Sequence, residues 1–132
     1  MIVIDASALS KYVLKEPGWS SIEKYLYEAY SLDFALIESA NAIWKAYYMN
    51  LISEKDAIKK LEALKIIFSK VLTVIDSSKF IDDAFSFAIE NRTPIYDMLY
   101  IALAKQQNLP LLTSDNKQAR IARKYDIEVI KV

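Results

Sequence analysis

Apolar positions along the chain switch between two rhythms. Short continuous runs such as Ile2-Val3-Ile4 and Val71-Leu72-Thr73-Val74-Ile75 read as buried strands, and the longer stretches between them carry apolar residues every three or four positions, as helices do. The pattern predicts a strand over 2–4, then a helix from Ser7 or Ala8 through Lys15 that Pro17 and Gly18 close. A helix over 19–30 and a strand over 31–36 follow, the strand resting on a brief alternation of Leu32, Phe34 and Leu36 with Asp33 and Ala35. Ile37, Ala40, Trp44, Tyr47, Tyr48 and Leu51 recur at helical spacing. Ser53-x-x-Asp56 then caps a second long helix with the stripe Ile58, Leu61, Leu64, Ile67 and Phe68. A strand over 71–75 leads to a helix capped by Ser77 and running to Glu90, with Ile81, Ala84, Phe85 and Ala88 as its stripe. Thr93 and Pro94 announce a helix to about Gln107, and a strand over 109–113, a helix over 116–125 and a strand over 127–132 complete the chain.

Strands alternating with helices over the whole length predict an α/β fold: a three-layer α/β/α sandwich with a mostly parallel five-stranded sheet, its strands covered on both faces. At 132 residues a single domain spanning 1–132 is expected. In open parallel sheets ligands bind beyond the carboxyl ends of the strands, where the strand order reverses. Asp5 stands at such an end.

Composition narrows the chemistry by what it lacks. With no Cys and no His, the chain holds no disulfide, thiolate nucleophile, Ser-His-Asp triad, His acid/base pair or His zinc ligand. One glycine, Gly18, is too few for the glycine-rich phosphate cradles. Hydrolysis would have to rest on carboxylates, hydroxyls or lysines. Net charge is zero and the pI about 6.3, so the overall field does not point to nucleic acid. The opening apolar run meets Asp5 too soon for a signal peptide or a membrane span, so no membrane association and a cytoplasmic location are the expectation.

Four acids lie where a solvated charge is not expected: Asp5 after the first strand, Glu38 in "FALIESANAIW", Asp97 in "PIYDMLYIALA", and Asp115 after "LPLLTS". Glu38 shares a helix face with Asn41. Asp97 heads a very apolar helix, in the first turn where the dipole favours an anion. Each acid alone reads equally as a cap or a surface ion-pair partner. Four converging at one sheet edge would repel one another by several kcal/mol unless a cation neutralised them, and oxygen-only ligands select hard divalent ions, Mg²⁺ or Mn²⁺.

The ordered set of Asp5 with Ser7 in "VIDASAL", Glu38 near the start of a helix after the second strand, Asp97 in "YDMLYIALA" and Asp115 in "LLTSD" resembles the PIN-domain ribonucleases, particularly the VapC-type toxins of toxin–antitoxin pairs. The resemblance covers essentially the whole chain. It implies metal-dependent hydrolysis of RNA phosphodiester bonds, with Asp5 as central ligand of one or two Mg²⁺ or Mn²⁺ ions, Asp97 as its partner, and Glu38 and Asp115 completing the site. It further implies that Ser7 and Thr113 orient those carboxylates, with Asn41 a looser match. A cognate antitoxin and homodimerisation are family expectations, for which the aromatic-rich helices from Trp19 to Phe68 offer surface. Asn116 and Lys117 follow Asp115 where some members carry a further acid, which weakens a second ion's site. Lys117, Arg120, Arg123 and Lys124 on one helix read as a local basic edge for RNA, or equally as a solvated face.

A phosphoryl-accepting signalling domain shares the α/β layout, but it wants adjacent acids after the first strand where this chain has "IDAS". Haloacid-dehalogenase-like phosphatases want D-x-D, and Ser7 replaces the second acid. A non-catalytic PIN scaffold is the remaining alternative, against which the complete acidic set argues.

Overall fold

Strands β1 (Ile2–Ile4), β2 (Ala29–Leu32), β3 (Thr73–Ile75), β4 (Leu111–Thr113) and β5 (Val129–Lys131) form one all-parallel sheet in the order β3-β2-β1-β4-β5 in the computed structural model, which describes residues 1–132. Parallel neighbours need crossovers, and helices supply them: α1 (Ala6–Leu14) from β1 to β2, α2 (Asp33–Tyr48) and α3 (Glu54–Ile66) from β2 to β3, α4 (Ile81–Asn91) and α5 (Ile95–Gln107) from β3 to β4, and α6 (Asn116–Lys124) from β4 to β5. Right-handed crossovers put the helices that follow β1 and β2 on one face and the rest on the other. The contacts agree, since α1, α2 and α3 pack together and so do α4, α5 and α6. This is the expected α/β/α sandwich.

The central strands explain the apolar run at the start of the chain. Val3, Ile4, Leu111 and Leu112 are fully buried because β1 and β4 are covered on both faces, and α5 adds an unbroken buried stretch from Met98 to Ala104. The chain leaves β1 toward β2 and leaves β4 toward β5, so the order reverses between β1 and β4. Asp5 follows β1, and Thr113 ends β4.

Several expected boundaries move. The strand expected over 31–36 lies at Ala29–Leu32, and the chain is helical from Asp33. The Asp33 carboxylate is the reason: it accepts from Phe34 N (2.9 Å), Ser77 N (2.9 Å) and the Ser77 hydroxyl, holding the first turn of α2 against the turn after β3. The alternation of Leu32, Phe34 and Leu36 was too brief to outweigh that turn. Ser77, expected as a cap, spends its hydroxyl on Asp33; Asp76 caps the 3-10 turn Ser77–Phe80 by accepting from Ser78 N, and α4 starts only at Ile81. The segment expected as a helix over 19–30 is a 3-10 helix, Trp19–Glu28, which stops where Ala29 pairs with Ile2. A π-turn, Ile67–Val71, uses up the start of the expected third strand, and strands four and five are likewise shorter than expected.

The apolar stripes of α3 and α4 are only partly buried. Of the α3 stripe, Leu64 is buried while Ile58 and Leu61 are exposed; on α4, Ala84 is buried while Ile81 and Phe85 face outward. Together with exposed Trp44 and Tyr47 on α2, Ile58 and Leu61 line an open apolar groove of about 220 Å³.

Candidate functional site

Asp5 is the pivot of the sheet edge. It caps α1 by accepting from Ala8 N (3.0 Å), so the capping role that its position suggests is real. It is also 3% exposed, and capping alone does not need such burial. Ser7 Oγ donates to its Oδ1 (2.6 Å) and Thr113 Oγ1 donates to its Oδ2. Those hydroxyls are themselves held, because Ser7 Oγ accepts from Ser114 N (2.9 Å) and Thr113 Oγ1 from Asp115 N (3.1 Å). With their lone pairs engaged by amides, the hydroxyl hydrogens point at Asp5. Ser7 and Thr113 thus stand at the carboxylate where orienting residues were expected.

Burial outweighs these three donors and the Asp5 carboxyl is pushed up to about 6, with the charge of Asp97 adding to the rise. Glu38, on the second turn of α2, is pushed up to about 7, first by burial and then by the charges of Asp97 and Asp5. Asp97, in the first turn of α5, is raised by burial and by Asp115, while Lys117 pulls it down. The four acids therefore feel one another across the sheet edge: the topology brings together residues spread from 5 to 115. Asp115 caps α6 by accepting from Gln118 N (2.9 Å).

The donor set fits a hard cation. Every ligand atom on offer is oxygen, and each acid keeps acceptor capacity: Asp5 Oδ2 takes one donor, Glu38 Oε1 takes one, Asp115 Oδ1 takes one, and the Asp97 carboxylate takes none. As the side chains lie, no three of the acids close on a single ion-sized point. Glu38, Asp97 and Asp115 are only partly buried, whereas Asp5 is buried and held by three donors.

Three residues beside the acids were not singled out from the sequence. Tyr100, 1% exposed, donates its hydroxyl to Glu38 Oε1 (2.6 Å), and burial with the charge of Glu38 pushes the phenol well above its ordinary value. The signal was a hydroxyl-bearing ring three positions after Asp97 in an otherwise aliphatic run. Gln118 is buried and donates to the Asp97 carbonyl (3.0 Å), with its own Oε1 left without a partner. Buried Thr93 accepts from Lys117 Nζ (2.8 Å).

Other expected residues stand apart. Asn41 is exposed and holds no carboxylate. Of the basic run, Lys117 reaches the acids, whereas Lys124, seven residues and roughly 10 Å further along α6, bonds Asn91 and pairs with Glu90 at 3.5 Å. Arg120 and Arg123 are exposed between them. The run divides because a helix anchored at the sheet edge carries its far end away from it.

A family model described as PIN domain matches residues 2–124. Over 121 residues, 89% of this chain and 92% of the relative, the sequence is 34% identical to Ribonuclease VapC3 of Pyrobaculum aerophilum. The crystal structure of PAE2754 from Pyrobaculum aerophilum superposes with a TM-score of 0.74 at 20% identity, covering 97% of this chain and 81% of that one. A toxin–antitoxin complex from Klebsiella pneumoniae gives a TM-score of 0.61 at 16% identity, covering 90% of each chain. At these identities the solved structures speak for the fold. No helix is long and apolar enough to cross a membrane.

The raised carboxyls set the sign of a pH effect. A buried acid with a folded pKa above its ordinary value destabilises the fold once it ionises, so its cost grows as pH rises from about 3.8 toward 6 for Asp5, and from about 4.5 toward 7 for Glu38. Asp5→Asn therefore stabilises metal-free protein at pH 7.5 by about 1–2 kcal/mol after the weaker capping is subtracted, seen as a higher melting temperature, and the gain vanishes near pH 4. Thermal denaturation across pH reads this; a gain that is the same at both pH values contradicts it.

Proposed function

The chain belongs to the PIN-domain family, and on that premise we propose that it is a metal-dependent endoribonuclease, the toxin of a toxin–antitoxin pair. The observation that carries the reading is the buried Asp5 at the strand-order reversal, with Glu38 and Asp97 coupled to it through charge and Asp115 coupled to Asp97.

Asp5 and Asp97 hold the ion, with Glu38 and Asp115 completing its shell directly or through water. Mg²⁺ or Mn²⁺, when bound, supplies acid–base and charge-stabilising chemistry at neutral pH without a histidine. The protein's own part is to keep the oxygens aimed. Ser7, Thr113 and the Ala8 amide fix the plane of the Asp5 carboxylate, and their three bonds favour its ionised form against burial. Tyr100 does the same for one oxygen of Glu38, leaving Oε2 free. Lys117, tethered to Thr93, sets a fixed ammonium beside Asp97, where it offsets carboxylate repulsion and meets substrate phosphate.

Two outward apolar faces suit protein partners, the relative solved in a toxin–antitoxin complex being the precedent. One is the groove between α2 and α3 lined by Trp44, Tyr47, Ile58 and Leu61; the other is the α4 stripe of Ile81, Phe85 and Ile89. A cognate antitoxin and a second copy of the chain are the proposed occupants.

RNA cleavage followed on gels should appear with Mg²⁺ or Mn²⁺, disappear in excess EDTA, and fall by more than the roughly 10- to 100-fold that losing an outer-shell partner costs in Asp97→Asn. Cleavage undiminished in EDTA or in the variant sinks the mechanism. Tyr100→Phe removes a bond that stabilises ionised Glu38, so Glu38 stays protonated to higher pH. The acid limb of the pH–rate profile is expected to move up by about half to one unit, and an unmoved limb refutes the assigned role.

A further inference from the structure

Phe34, in the first turn of α2, and Tyr96, in the first turn of α5, lie ring on ring, with centroids 5.4 Å apart and planes 16° from parallel. One turn further along the same two helices, Glu38 and Tyr100 are joined by their 2.6 Å hydrogen bond, and Asp97 directly follows Tyr96. The aromatic pair is therefore built from residues that bracket two of the four acids. Phe34 is half-buried, but Tyr96 is 55% exposed, so its ring is braced from behind and open to solvent. Lys117, held against Thr93 on the α6 side of Asp97, supplies a fixed cation across the acids.

We propose that Tyr96, backed by Phe34, is the stacking platform for an unpaired nucleobase of the RNA whose phosphate the four acids engage. The inference rests on the ribonuclease reading and names the form of its substrate. Single-stranded or bulged segments present an open base face, whereas paired bases in a duplex are already stacked on their neighbours. Base–aromatic stacking is sequence-tolerant, because every base has a π-face, and its loss weakens binding by about 5- to 150-fold per base. A ring fixed in advance by Phe34 loses little freedom when a base settles on it.

The test uses a single-stranded RNA hexamer carrying one 2-aminopurine, whose fluorescence is quenched on stacking, mixed rapidly with the full chain in Mn²⁺ so that binding is read before cleavage. The unmodified chain is expected to quench the probe. Tyr96→Ala is expected to lose the quench and to raise Kd roughly tenfold, with KM rising more than kcat falls, while Tyr96→Phe, which keeps the ring, restores the quench. Binding of a blunt RNA duplex is expected to change less than about twofold. Unchanged quench and Kd in Tyr96→Ala, or an equal loss for the duplex, overturns the proposal. So does a shift in oligomeric state on gel filtration with RNA binding intact, which would give the ring to a contact between copies. If the unmodified chain quenches the probe yet cuts no RNA, the ribonuclease reading fails and the platform stands.

Discussion

One buried carboxylate organises this molecule. Removing Asp5 from water at the end of the central strand is costly, and its burial is tolerated because three donors converge on it. Those donors come from the first turn of α1 and from the end of β4, so the pairing of Ile4 with Leu112 and the cap of α1 are parts of one geometry. Thr113 reaches Asp5 only in that strand register, and the amides of Ser114 and Asp115 then lock the hydroxyls. The cap of α1 and the register of β1 on β4 thus meet at this acid.

Around this fixed point the other acids are looser. Glu38 and Asp97 are partly exposed, one steadied by Tyr100 and the other flanked by Lys117. A buried central ligand with partly exposed neighbours suits an ion that arrives and leaves with substrate, and a cation would relieve the cost of burying these charges and the smaller repulsion between them, which together raise the carboxyls of Asp5, Glu38 and Asp97. In a chain without histidine, the proposed cation is what would supply acid–base chemistry at neutral pH.

The sequence made the layer order, the parallel sheet and the four acids legible, because short apolar runs and helical spacing are local signals and because acids in apolar contexts stand out. Long-range partners were hidden. Nothing near Asp33 predicted that it would tie α2 to Ser77, 44 residues on, and so the second strand was drawn too long. Tyr100 carries no local signal of its role, since its partner Glu38 lies 62 residues away. Ile58, Leu61, Ile81 and Phe85 continue the apolar stripes of α3 and α4 yet face outward: periodicity says that a face is apolar, not what covers it.

Whether Asp5, Glu38, Asp97 and Asp115 form one divalent-cation site is read from a crystal of the unmodified chain soaked in Mn²⁺. An anomalous peak is expected, bound by Asp5 and Asp97 at oxygen distances of about 2.0–2.2 Å, with Glu38 and Asp115 turned toward it. A peak elsewhere in the molecule, or none among these four carboxylates at saturating Mn²⁺, would contradict that expectation.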